Sequence, residues 1–144
     1  MEISFFNAEP VPEDTISIVV IVTRYQNQWV LVRNKSRTTW ELPAGHREPP
    51  ETLDEAACRE LFEETGAVKF AMYPVGIYSV MDHEKLAHGK LYFADVETLG
   101  PLPESEIAEI CFKKDFPEDN FLTYPLIQPV FVNKVREYLK LTDT

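Results

Sequence analysis

Three glutamates, Glu60, Glu63 and Glu64, fall within one turn near the end of the stretch GHREPPETLDEAACRELFEETGA, Gly45 to Ala67. Like charges three and four residues apart weaken a helix, and the helix dipole disfavours negative charge at a carboxyl end. At roughly 100° per residue, Leu53, Ala56, Ala57, Glu60 and Glu64 project on one side, with Glu63 at its margin. The acids therefore continue the stripe that faces the protein. A solvated acidic face explains neither that placement nor the tolerated repulsion. A divalent cation explains both, because three carboxylates within a turn supply hard oxygen ligands to Mg²⁺ or Mn²⁺ and the ion cancels their repulsion.

The wider spacing carries a resemblance. Gly45, Glu51, Arg59, Glu60, Leu61, Glu63, Glu64 and Gly66 stand as GX₅EX₇REUXEEXGU, where U is a bulky apolar residue, and this resembles the signature of the Nudix hydrolase family. Ala67 occupies the final apolar position, where Ile, Leu or Val is usual. At ordinary residue usage a chance match at a given start is roughly one in a billion. The preceding WELPAG resembles the family's entry into the box.

The resemblance implies hydrolysis of a nucleoside diphosphate linked to another group, by attack of water on phosphorus. It implies that Glu60, Glu63 and Glu64 hold the metal, joined by the backbone carbonyl of Ala44, which stands where a glycine is common. Arg59, four residues from Glu63, is expected to orient a carboxylate, and Glu51 to fold back on Arg59 or the outer metal shell. The general base is expected from the box or from a later loop, where Glu104, Glu106 and Glu109 are the candidates and Glu106, at a junction of loop and strand, is chosen.

Substrate contacts lie outside the box. Arg33 and Lys35 are expected near phosphates, and Tyr78, Phe121 and Tyr124 are candidates for stacking a base. His83 and His88 read as surface residues. The chain lacks an SQPWPFPQS-like stretch and a coenzyme A type motif. Past the box, Glu84 stands where diadenosine polyphosphate hydrolases carry tyrosine, and the proline of ADP-ribose enzymes is absent. What remains resembles MutT and the 8-oxo-dGTP diphosphatases, so the expected substrate is a nucleoside triphosphate, an oxidised one such as 8-oxo-dGTP included. A Nudix-fold sensor without turnover, and an enzyme for dinucleotide polyphosphates or nucleotide sugars, are the alternatives. Sensors of that kind often lose box carboxylates, and here all of them stand.

These groups need a scaffold. Thr15–Thr23 is β-branched almost throughout and fits a strand buried on both faces. With WVLVRN it makes a hairpin over Ile16–Asn34, followed by KSRTT as a polar connector. Pro43 stops ladder pairing. Thr52 is available as N-cap with Glu55 as capping-box partner, and Gly66 ends the helix. Strands are expected at Val68–Tyr73, Val75–Met81, Leu91–Val96 and Ile107–Phe112, with DHEKLAHGK as a turn. Leu126, Ile127, Val130, Phe131, Val135, Tyr138 and Leu139 mark a closing amphipathic helix from about Pro125 to Leu141. The expected fold is α/β (α+β), a Nudix-type α/β/α sandwich in which a central mixed sheet lies between the internal Nudix helix and the C-terminal helix, as one domain over 1–144.

Composition agrees. The chain has 144 residues, 44% hydrophobic and 26% charged, with 14 basic against 24 acidic side chains and a formal charge of -10. That balance argues against holding long nucleic acid by its phosphates and leaves a small nucleotide as partner, its charge met by recruited cations. No membrane-length apolar run or secretory signal is visible, and Cys58 and Cys111 read as buried free thiols, so a cytoplasmic protein, monomer or homodimer, is expected.

Overall fold

The computed structural model describes residues 2–6 and 11–142. Along the chain run β1 (Glu2–Phe6), β2 (Ile18–Tyr25), β3 (Gln28–Asn34), β4 (Ala44–His46), α1 (Leu53–Thr65), β5 (Ala67–Asp82), β6 (Lys85–Leu99), β7 (Ile107–Lys113) and α2 (Gln128–Thr142). The strands form one mixed sheet in the order β1-β5-β6-β2-β3-β7, with β4 added to β2. Among the described strands only the central β2–β6 pair is parallel; the other strand pairs are antiparallel.

β2 is buried on both faces, and its alternation divides the core. Val20 and Val22 join Leu31, Leu91, Phe93, Phe131, Val132 and Val135 on the α2 side. Val19 and Ile21 join Leu53, Ala56, Ala57, Leu61, Tyr92 and Ala94 on the α1 side. A helix thus covers each face of the sheet, because neither face of a central strand so apolar can be left to water.

Several boundaries differ from the sequence expectation. The β5 strand runs unbroken through Pro74, since a bulge at Val75, between the pairs Pro74–Tyr92 and Gly76–Leu91, absorbs the missing donor. The turn before β6 is only His83 and Glu84, both at positive φ, so most of DHEKLAHGK is strand. Gln26 and Asn27 make the same kind of turn between β2 and β3. The edge strand β1 carried no sequence signal. α2 starts at Gln128 rather than Pro125, and Cys58 and Cys111 are half-buried free thiols.

The site helix is capped as its sequence requires. Thr52 Oγ1 accepts from the Glu55 N–H at 3.1 Å and Glu55 Oε1 accepts from the Thr52 N–H at 2.9 Å. At the other end Gly66 adopts φ 80° and donates its N–H to the Phe62 carbonyl at 2.8 Å. Thr52→Ala is expected to cost about 1 kcal/mol of stability, measured as a lower urea midpoint at unchanged slope. An unchanged midpoint would mean that the capping box contributes nothing in solution.

Candidate active site

The site begins where two strands part. β2 and β3 pair at their hairpin end, Arg24 with Trp29 and Tyr25 with Gln28. Further along, the segment after the connector enters the gap between them. Glu41 exchanges both backbone hydrogen bonds with Val32, the Pro43 carbonyl accepts from the Ile21 N–H at 2.9 Å, and Ala44 pairs with Val20. Pro43 suits this position because it offers a carbonyl to β2 without needing to donate. The buried side chain of Gln128, at the start of α2, accepts the Leu42 N–H at 2.7 Å and ties the segment to the opposite layer.

That insertion presses the backbone of β4 against α1. The Ala44 N–H donates to Glu64 Oε1 at 3.0 Å. A Cβ on Gly45 would stand 2.1 Å from the carboxyl carbon of Glu60, so a side chain there would displace Glu60 from its place beside Arg59. Glu60 and Glu64 are 8% and 6% exposed and continue the inward stripe of Leu53, Ala56 and Ala57. The Glu63 side chain is 43% exposed at the margin. Burial pushes the Glu64 carboxyl up to about 8, against the Ala44 hydrogen bond, and the charges of Glu60, Glu106 and Glu41 add to the rise. Burial also raises Glu60 and Glu41, opposed by Arg59 and Arg37 respectively.

Arg59 joins the acids. Its Nε donates to Glu51 Oε2 at 2.6 Å and Nη2 to Glu51 Oε1 at 2.9 Å, a bidentate pair. Its Nη1 reaches Glu60 at 2.9 Å and Glu63 at 3.2 Å, and Nη2 also donates to the His46 carbonyl at 2.9 Å. These bonds to Arg59 are the main cause of the lowered Glu51 pKa. Every nitrogen of this guanidinium is committed, so Arg59 positions carboxylates and has nothing left for a ligand.

Beside the helix opens a pocket of about 360 Å³, lined among others by Arg37, Glu41, Ala44, Gly45, Glu64, Glu106 and Tyr124. Glu106, from the loop before β7, lines it together with Glu64, and its backbone carbonyl accepts the Lys35 N–H at 2.8 Å. Of the three aromatic candidates, Tyr124 lines this pocket. Tyr78 is corrected: it is 4% exposed in the α2-side core, its ring 4.7 Å from Phe131, and offers no face to a base. Phe121 stacks on Trp40 at 5.6 Å and lies outside the pocket lining.

The expected cations differ too. Arg33 is committed to Glu109 at 2.9 Å and to the Arg37 carbonyl at 2.9 Å, and neither it nor the Lys35 side chain lines the pocket. Arg37 does. Its Nη1 donates to the Tyr124 hydroxyl at 3.1 Å and to Glu41 at 3.3 Å, and its guanidinium lies 5.5 Å from the Tyr124 ring centroid. These contacts, Tyr124 first, hold its pKa above the ordinary value. Asn34, Arg37, Glu41 and His46 line the pocket without having been singled out in the sequence. For Glu41 the signal was present in WELPAG; for Arg37, inside KSRTT, there was none.

The donor set suits a hard divalent cation: oxygen ligands on Glu60, Glu63 and Glu64, a backbone carbonyl at Ala44, and acids whose shared repulsion a cation would relieve. As they stand, no three such side chains among the described residues are gathered closely enough to hold an ion. Glu60 and Glu63 lean to Arg59, and Glu64 to the Ala44 N–H.

Comparison with known proteins points one way. The NUDIX domain profile matches residues 13–124. YtkD of Bacillus subtilis (strain 168), provisionally named an 8-oxo-dGTP diphosphatase, is 32% identical over 135 residues, covering 86% of this chain and 83% of YtkD. The phosphatase NudJ of Escherichia coli (strain K12) is 27% identical, over 83% of this chain and 80% of NudJ. Among solved structures, a point mutant of the Bacillus subtilis pyrophosphohydrolase BsRppH superposes with a TM-score of 0.78 at 28% identity, covering 95% of this chain and 90% of that one. The NUDIX domain of Shewanella oneidensis NrtR, complexed with ADP ribose, shares the fold at a TM-score of 0.67 and 16% identity, over 92% and 95% of the two chains.

Proposed function

This chain belongs to the NUDIX family and is a Nudix hydrolase, and from that premise we propose that it is a Mg²⁺-dependent pyrophosphohydrolase of nucleoside triphosphates, oxidised purine nucleotides such as 8-oxo-dGTP included. The observation that carries the reading is the gathering of Glu41, Glu64 and Glu106 at one pocket beside an arginine-ordered acidic helix, with Glu60 close enough for its charge to act on Glu64. The intact carboxylate set favours turnover over sensing. Names given to YtkD and BsRppH support the same chemistry.

Hydrolases of this family generally use divalent metals. When bound by Glu60, Glu63, Glu64 and the Ala44 carbonyl, the metal would neutralise phosphate charge and lower the pKa of water. The protein's own parts follow from geometry. Glu51 and Arg59 form a brace that holds Glu60 and Glu63 in register on the helix surface. The Ala44 N–H fixes one oxygen of Glu64, leaving the other for ligation. Glu106 faces the same pocket from a different element, and is assigned as the base that takes a proton from the attacking water. Tyr124 lends an aromatic wall for the nucleoside.

The test is release of pyrophosphate and phosphate from intact and oxidised nucleoside triphosphates, dinucleotide polyphosphates, ADP-ribose and nucleotide sugars, with Mg²⁺ and with EDTA. Metal-dependent turnover of triphosphates is expected. Preferential turnover of another class would reassign the substrate, and binding without turnover would favour a sensor.

A further inference from the structure

Three arginines surround the site, and they differ in how many donors are already used. Arg59 is saturated by Glu51, Glu60, Glu63 and the His46 carbonyl. Arg33 donates through Nε to Glu109 and through Nη1 to the backbone carbonyls of Arg37 and Asn34. Arg37 donates only through Nη1, at 3.1 Å to Tyr124 and at 3.3 and 3.4 Å to Glu41. Among the described residues its Nε and Nη2 have no hydrogen-bond acceptor, which leaves three of the five N–H donors of a guanidinium unused.

The backbone beneath this side chain is held firmly. The Arg37 N–H donates to the Asn34 carbonyl at 2.9 Å, Asn34 Oδ1 accepts from the Ser36 N–H at 2.9 Å, and Arg33 clamps the Arg37 carbonyl. A fixed backbone therefore carries a side chain that is 40% exposed, held by single-nitrogen contacts. Its surroundings are anionic. Among the described residues Arg37 is the sole Lys or Arg in a pocket lining that includes Glu41, Glu64 and Glu106.

We infer that Arg37 is the protein's own phosphate anchor: parked on Glu41 and Tyr124 in this conformation, it turns its free Nε–Nη2 edge to a substrate phosphate that the metal site leaves uncompensated. A guanidinium matches two oxygens of one phosphate, which a lysine cannot do. The Glu41 contacts, made through Nη1 at 3.3 and 3.4 Å, are long, so swinging the free edge toward a phosphate gives up little. Tyr124 keeps its hydroxyl as a pivot, so the same residue that walls the nucleoside holds the anchor in place. This inference rests on the nucleoside triphosphate reading of the site.

The test is binding, measured by calorimetry in Mg²⁺, of three probes to wild type, Arg37→Gln and Arg37→Lys: a non-hydrolysable nucleoside triphosphate, inorganic tripolyphosphate, and the free nucleoside. Arg37→Gln is expected to weaken both phosphate probes by roughly 10- to 100-fold and to leave nucleoside binding alone. Arg37→Lys, with charge but no fork, should recover part of the loss. Steady-state kinetics should show the change in KM with kcat nearly constant. Equal affinity of wild type and Arg37→Gln for the phosphate probes overturns the inference, as does a loss confined to the nucleoside, which would make Arg37 a reader of the base. A wild type that binds triphosphate without hydrolysing it would instead sink the hydrolase reading and leave the anchor standing. Thermal melts of the variants guard against unfolding as the cause.

Discussion

Glu63→Gln is expected to lower kcat at saturating Mg²⁺ by at least roughly 10²-fold, the scale for removing one preorganised group that stabilises developing charge, with the fold unchanged. The side chain is 43% exposed, and its partner among the described residues is Arg59, which donates to it at 3.2 Å and retains Glu51 and Glu60 without it. Gln keeps the shape and one acceptor oxygen but loses the charge. The measurement is a Mg²⁺ titration of turnover together with thermal melts of both proteins. A raised Mg²⁺ requirement and low plateau at an unchanged melting temperature support ligation by Glu63, whereas near wild-type turnover removes it from the metal-binding set.

Glu106→Gln is expected to slow the chemical step by roughly 10²- to 10⁴-fold, the range for losing a general base, with Mg²⁺ affinity nearly constant. Glu106 reaches the pocket from the loop before β7, away from α1, and it is held there through its carbonyl bond with Lys35. It is close enough for its charge to raise Glu60, Glu64 and Glu41. Single-turnover rates across pH separate this role from ligation: loss of the limb that reports the base supports it. An unaltered rate and profile would return the base to the box glutamates. A fall in Mg²⁺ affinity as large as that of Glu63→Gln would make Glu106 a ligand.

Much of the scaffold was legible because it depends on local periods and caps. The two-faced burial of β2, the capping box of Thr52 and Glu55, the Gly66 stop and the acidic continuation of the α1 stripe all follow from residues within a few positions of one another. The Glu51–Arg59 pair also lies inside one motif, eight residues apart. Less legible were elements whose signal is pairing with a distant partner. β1 is a strand through its register with β5, and Pro74 stays in a strand because a bulge opposite β6 accommodates it.

By itself, then, the sequence determined the chemistry-bearing helix, its caps and the face its acids share, because 3.6-residue periodicity and terminal hydrogen bonds are properties of neighbouring residues. Only the tertiary structure decided which other groups meet those acids. Arg37 and Tyr124 touch across 87 positions of chain, while Tyr78, equally aromatic, points into the core of the sheet. The choice among Arg33, Lys35 and Arg37 turned on how β2 and β3 part to admit the segment around Glu41 and Ala44. That insertion is held by hydrogen bonds from the segment to both β2 and β3, pairings between separate stretches of chain that no local pattern encodes.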